Sequence, residues 1–241
     1  MNPMDKGGAD EHPIVTKARA EKERSLRLRD ERRFAEAVEV LKEMIARIEK
    51  TLADFKGTSP QAPAPSEIEV ADQGLHLNGT LGGIFRRWEK FDEAVEAYAK
   101  GAAIERDPRY SLPQSYTSTQ HAVLRCLHDP DMLAQAAGDH HSAIHQELTE
   151  LYRRIIRQMR GPRRGDVYAA ADRAVVSLLL GQPEWEEDLG SFLDLAKNRE
   201  EDYAERVTAE VIRALAAEVQ RLPAPQRGAL AHWAVALSFV P

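Results

Sequence analysis

The 241-residue chain contains a single cysteine, Cys126. No disulfide can form within it, and a reducing compartment is expected, with the cytoplasm as the default. No stretch approaches the ~18 apolar residues of a membrane-spanning helix, and the opening MNPMDKGGADEHPIVTKARAEKER lacks the apolar core of a secretory signal. The expectation is a chain that neither crosses nor enters a bilayer. Alternating runs of β-branched and aromatic residues are also nearly missing, which removes strands and the sheet-based active sites that need them. An excess of positive charge is lacking too: 33 Lys and Arg stand against 39 Asp and Glu, a net charge of −6. Nucleic acid and anionic membranes are not favoured as partners unless a local patch supplies what the whole does not. Finally, there is no GxSxG elbow, no Cys/His pair with an orienting third group and no acidic pair on a recognisable catalytic loop. Glu186-Glu187 and Glu200-Glu201 sit near expected helix starts, where carboxylates favour the helix dipole.

What is present is a hydrophobic share of 43%, enough for one ordinary core or a short array of repeats, and a period of 3.6 almost throughout. The expected fold is all-α. Residues 1–12, rich in Gly, Asp and Lys, read as a flexible lead-in. An N-terminal hairpin over 13–56 follows, with helices Pro13–Arg29 and Phe34–Phe55. In the second, Phe34, Val38, Leu41, Ile45, Ile48, Leu52 and Phe55 recur in steps of four and three. Such a seam serves either packing within the chain or a coiled-coil homodimer. GTSPQAPAPS, 57–66, reads as a proline-rich linker, and Ser66 with Glu69 as a capping box that opens a helix ending near Trp88. Residues 67–241 then form the main helical array. Further helices are expected at Phe91–Arg106, Pro113–His128, Asp139–Arg160, Asp166–Leu180, Pro183–Lys197, Glu200–Leu222 and Pro225–Phe239, each bounded by Gly or Pro. Trp233, Leu237 and Phe239 make the last one apolar enough to cap the array or to serve self-association.

The array is repetitive. RRFAEAVEVL (Arg32–Leu41) and EKFDEAVEAY (Glu89–Tyr98) share Phe, Glu, Ala, Val and Glu at one offset of 57, as from Ala37 to Ala94. A weaker copy, GQPEWEEDLGSF, puts Trp185 and Phe192 in the aromatic places but Asp188 where the small residue belongs. Within Leu77–Pro108, Leu81-Gly82, Phe85, Ala94, Tyr98, Ala102 and Pro108 resemble the tetratricopeptide repeat (TPR), a pair of antiparallel helices packed through small residues. The resemblance implies a TPR-like α-solenoid of antiparallel helical hairpins. It also decides the meaning of Gly79, Gly82 and Gly83, which by themselves suggest a phosphate loop: no strand precedes them and no Lys-Ser/Thr pair follows, so a helix–helix joint is expected. The segments GGIFRR, YAKGAAIE, SLPQSY and GDVYAAADRAVVSLLLG, across 71–195, are similar in order to bacterial TPR-like proteins and to the TRAFs-binding helical region of signalling kinases. Tyr168 stands in place of that group's usual Trp, and SYTSTQ in place of a more Asn-rich loop.

The resemblance implies an interaction module that docks or regulates an effector or signalling protein through a concave groove, without catalysis and without a cofactor. TPR register places His76, Gly79, Gly83, Arg86 and Arg87 on that groove, and the order of helices adds Tyr116, Gln120 and Arg173. Arg86 and Arg87 would anchor a partner's carboxylates. Two other clusters bear on function. Arg153, Arg157, Arg160 and Arg164, with Arg154 and Arg163 between them, could hold phosphates at a helix end, giving a nucleotide or nucleic-acid sensor as the alternative; a solvated helix end is the simpler reading. Tyr152 alone stands near them, too little for base stacking. His141 and His145 have metal-ligand spacing but no HExxH or matched Cys/His set, so no metal is expected. Asp139-His140-His141 also spells a phosphoesterase signature, which requires a metal-lined α/β sheet that this chain does not predict.

Overall fold

A computed structural model describes residues 12–58, 62–199, 208–209 and 212–213, and among them every regular element is an α-helix. The helices are α1 (Pro13–Asp30), α2 (Phe34–Thr58), α3 (Pro65–Arg87), α4 (Phe91–Arg106), α5 (Tyr116–His128), α6 (Pro130–Gly138), α7 (Ala143–Met159), α8 (Val167–Leu179) and α9 (Trp185–Arg199). Among the described residues the fold is all-α, with consecutive helices packed on one another, as in α1–α2, α3–α4 and α8–α9. They fall into two compact units, Met1–Leu112 and Pro113–Pro241.

In the first unit the sequence repeat becomes a repeat of backbone geometry. Arg32 (φ 60) and Glu89 (φ 61) are both left-handed, and both come just after the first helix of a hairpin. Arg33 N donates to Leu28 O at 2.8 Å, and Lys90 N donates to Phe85 O at 2.9 Å. Each pair is the wrap-back bond that closes a helix on a left-handed residue, and the two turns stand at the offset of 57 read from the sequence. The second helices then return along the first. Ala94, Tyr98 and Ala102 of α4 are fully buried. A Cβ on Gly82 would lie 2.8 Å from the Tyr98 ring, so only glycine lets α4 approach there. The joint is the one expected from the Leu81-Gly82 pair.

α2 packs on both α1 and α3, which buries Val38, Leu41, Ile45, Ile48 and Leu52, while Phe34 stacks on Trp88 with centroids 6.1 Å apart. The seam is thus used for packing inside the chain.

The start of α3 differs from expectation. The helix begins at Pro65, its N-cap is Ala64 with no side-chain bond, and Ser66 already lies inside. Proline fixes a helical φ and has no N–H to leave orphaned, so it opens the helix before the serine can cap it. The linker is correspondingly shorter, because α2 runs on to Thr58. Glu67, fully buried, receives Arg109 Nε at 2.7 Å and Nη2 at 2.8 Å. This ion pair ties the chain beyond α4 to the first turn of α3.

In the second unit α8 is central: it packs against α5, α6, α7 and α9, and eleven of its thirteen residues are buried. The core of this unit also contains Ile144, Leu148, Leu151 and Ile155 from one face of α7, and Trp185, Leu189 and Phe192 from α9. Asp188, the residue that broke the third repeat copy, is buried but paired with Arg173 at 2.9 Å. α6 had no counterpart in the expected helices. Asp129 Oδ1 caps it by accepting from Asp131 N and Met132 N. α7 starts at Ala143 rather than Asp139, because Ser142 caps it by accepting from His145 N. Residues 1–11 of the expected lead-in 1–12 and the expected helices Glu200–Leu222 and Pro225–Phe239 lie outside the described residues. The exceptions are Thr208, Ala209, Ile212 and Arg213, which are helical; Ala209 and Ile212 join the core of this unit.

Candidate functional site

α3 carries the residues first expected to meet a partner, and its two faces differ. Val70, Gly74, Leu77, Asn78, Leu81 and Phe85 are buried. His76, Thr80, Gly83 and Arg87, spaced i, i+4, i+7 and i+11, form a stripe of half-buried to exposed positions. His76 Nε2 lies 3.5 Å from Asp72 Oδ2, and Thr80 Oγ1 donates to His76 O at 2.9 Å. Arg87 ends the stripe and is exposed, with Arg86 half-buried beside it. Both arginines occupy the last turn, where cations complement the carbonyl end of the helix. Gly79, expected on the same stripe, is buried.

The residues expected from later helices are placed differently. Gln120 is buried in α5, 3% exposed. Tyr116 is half-buried at the start of α5. Arg173 lies inside the second unit, its guanidinium committed to Asp188. Asp188 in turn accepts from the Tyr152 hydroxyl at 3.3 Å.

The arginine run divides into two groups. Arg163 is buried and donates to Asp166, to Ser115 Oγ at 2.6 Å and, more loosely, to Gln158. Ser115 donates to Asp172 at 2.5 Å, and Arg163 lies 3.9 Å from that carboxylate. These contacts clamp the α7–α8 turn to the start of α5. Asp166 also caps α8 by accepting from Ala169 N. Burial raises its carboxyl, but the Arg163 and backbone bonds together outweigh this and hold it below the usual aspartate range. Arg154 donates to Ser118 Oγ at 3.1 Å. Of the four arginines expected to project together, Arg157 pairs with Glu150 at 2.9 Å, and Arg153, Arg160 and Arg164 are exposed.

The histidines do not form the expected i, i+4 pair, because His141 sits in the turn before α7. The neighbours are His140 and His145, with Nδ1 and Nε2 3.0 Å apart. His145 Nδ1 lies 2.8 Å from Ala136 O; assigning it as the donor there leaves Nε2 to accept from His140. No group of three or more His, Cys, Asp or Glu side chains suited to a metal occurs among the described residues. Cys126 is buried, and burial pushes its thiol up to about 12, which makes it a poor nucleophile.

One feature of the first unit was not among the expected sites. Between α2, α3 and α4 lies a cleft of about 240 Å³, with Ile45, Leu81, Phe85 and Ala97 in its floor, Asn78 at the base, and Lys42, Glu49, Glu93, Glu96 and Lys100 around the rim. A signal for it stands in the sequence. The TPR pattern places Trp three residues ahead of its Leu-Gly pair, and that position is Asn78 here.

No family model matches the chain, and no curated protein matches it. Among solved structures, it is similar to a Podosopora anserina protein of nearly identical TPR-like repeats, designated a kinesin light chain. The identity is 16%, the TM-score 0.46, and the match covers 95% of this chain and 97% of that one.

Proposed function

We propose that the protein is a non-catalytic scaffold that docks another protein or peptide, and that the docking face in the first unit is the polar stripe of α3 with Arg86 and Arg87 at its end. The observation that carries this reading is the division of α3 itself. The apolar side of that helix packs into the core, while His76, Thr80, Gly83 and Arg87 stay at the surface in one line. A rigid helix presenting such a line offers hydrogen-bonding groups at fixed spacing and little ordering cost on binding. Arginine at its end suits a carboxylate-bearing partner, since the guanidinium fork can hold both oxygens. An effector or signalling protein with an acidic docking segment is the partner this chemistry selects. Gln120 and Arg173 have no part in it, being buried or internally paired.

The test is a tagged pull-down from the native cell at moderate salt after nuclease treatment. A stoichiometric protein partner is expected to be retained by the wild type and lost by Arg86→Glu/Arg87→Glu, with the far-UV circular dichroism of the variant unchanged. Equal retention by the charge-reversed variant refutes the α3 face.

A second reading rests on the exposure of Arg153, Arg160 and Arg164 near the carboxyl end of α7. They would form an anion site, for a nucleotide or nucleic acid, that works without the α3 stripe.

A further inference from the structure

The cleft between α2, α3 and α4 opens on the side of α3 carrying Asn78, Leu81 and Phe85 (i, i+3, i+7), away from the stripe of His76, Thr80, Gly83 and Arg87. It does not belong to the docking face on that stripe and does not depend on it. Its floor is apolar except at one point. Asn78 is 2% exposed; its Nδ2 donates to Gly74 O at 2.8 Å, while its Oδ1 has no hydrogen-bond partner. A buried amide oxygen without a donor is unfavourable, and native interiors rarely leave one. In the repeat pattern an indole stands at this place, where this chain has the smaller amide of Asn78.

The rim narrows what could enter. Glu96 is already paired with Lys100 at 3.1 Å, and Glu93 lies 3.7 Å from Lys90. Lys42 Nζ sits 5.7 Å from the Phe85 ring centroid, a placement that suits a cation above an aromatic face. Glu49 lines the same rim, is exposed and has no ion-pair partner among the described residues. Of the three carboxylates and two ammonium groups in the lining, Glu96 is taken by Lys100 and Glu93 by Lys90 outside it, which leaves the Glu49 carboxylate, with Lys42 held over the Phe85 ring. The volume is below the ~300–1,000 Å³ of small-molecule pockets, which favours a single long side chain.

We propose that this cleft receives a lysine or arginine side chain from a partner polypeptide. Its methylene stem would lie on Ile45, Leu81, Phe85 and Ala97, and its terminal N–H groups would donate to Asn78 Oδ1 and to the Glu49 carboxylate. Both basic side chains are amphipathic in the order the cleft requires, an apolar stem followed by a charged donor. The proposal accounts together for the unsatisfied acceptor and the unpaired carboxylate.

The experiment is an NMR titration of the full chain with the blocked tripeptide Ac-Ala-Lys-Ala-NH2 and with its Arg, norleucine and Glu counterparts. Norleucine keeps the stem and removes the charge. Shifts at Ile45, Asn78 and Leu81 are expected with the Lys and Arg peptides at millimolar concentration and not with the other two. Asn78→Leu, which fills the space and removes the acceptor, should abolish the response, and Glu49→Gln should weaken it several-fold. The surface substitution Glu49→Gln keeps the test decisive even if Asn78→Leu fails to fold. Equal shifts with norleucine, no response to either basic peptide, a lysine response that survives Asn78→Leu, or an affinity unchanged by Glu49→Gln each overturns the proposal. Because Arg86 and Arg87 remain intact in these variants, a negative result leaves the α3 docking face standing, and the pull-down tests that face separately.

Discussion

At the scale of single residues, the two hairpin turns of the first unit show how far side-chain identity can drift while geometry persists. Arg32 and Glu89 are left-handed at positions where glycine is the unstrained choice. Nothing in their side chains announced this: both stand among charged neighbours, and the period-3.6 pattern reads through them. Glu89→Gly should therefore stabilise the first unit by about 1 kcal/mol, the strain of one left-handed L-residue less the added freedom of glycine in the unfolded chain. Chemical denaturation of wild type and variant checks the direction. Gly82, by contrast, was legible, because a small residue after Leu81 and an aromatic at Tyr98 are the two sides of one contact in the repeat pattern. Asn78 was legible only as a deviation. A helical period cannot say that a polar residue on the buried face lacks a partner.

At the scale of elements, helix existence followed from periodicity and helix ends from capping, and the misreadings sit at the caps. Ser66 looked like the start of α3, but Pro65 ahead of it already supplied a helical φ. α6 escaped because a nine-residue helix with Leu133 and Ala136 as its fully buried residues is too short to show a period, although Asp129-Pro130 carries both an N-cap and a first-turn proline. The run of arginines before α8 was legible as charge but not as two kinds of arginine. Arg163→Ala should destabilise the second unit by about 1.5–3 kcal/mol, since it removes the buried guanidinium that binds Asp166 and Ser115. Its neighbour substitution Arg164→Ala should stay within about 0.5 kcal/mol. Urea midpoints of the two variants separate structural from surface arginine directly.

The Glu67–Arg109 pair belongs to the same scale, because it joins the ends of the α3–α4 hairpin. The Arg109 hydrogen bond holds the Glu67 carboxyl below its usual range despite burial. A depressed folded-state pKa gives stability that is complete above the unfolded value, about 4.3, and that is lost as pH falls through the lower folded value. The hydrogen-exchange protection factors of α3 and α4 amides should accordingly fall as pH drops below that value, beyond the trend of the second unit. In Arg109→Gln this extra acid sensitivity should disappear.

For the whole molecule, composition was a good guide to class and a poor one to site. The scarcity of strand patterns, with the 3.6 period, pointed to the all-α fold. No whole-chain property pointed to a cleft of one side chain's size. The net charge of −6 makes a further expectation. If Arg153, Arg160 and Arg164 form no anion site, an oligonucleotide should not bind even at low salt, whereas a working site would show an affinity that falls steeply with added salt. Fluorescence anisotropy with a labelled single strand across a salt series measures this.

The matching turns at Arg32 and Glu89 carry one more implication. A stretch of 57 residues returns the backbone to the same point of the next hairpin, in the same left-handed conformation, with Phe34 and Phe91 opening equivalent helices. The protein's length is in that sense an adjustable quantity. Splicing in one further copy of such a stretch at the turn would lengthen the first unit by a hairpin without disturbing the register of the helices beyond it, much as a ruler can be extended by whole divisions.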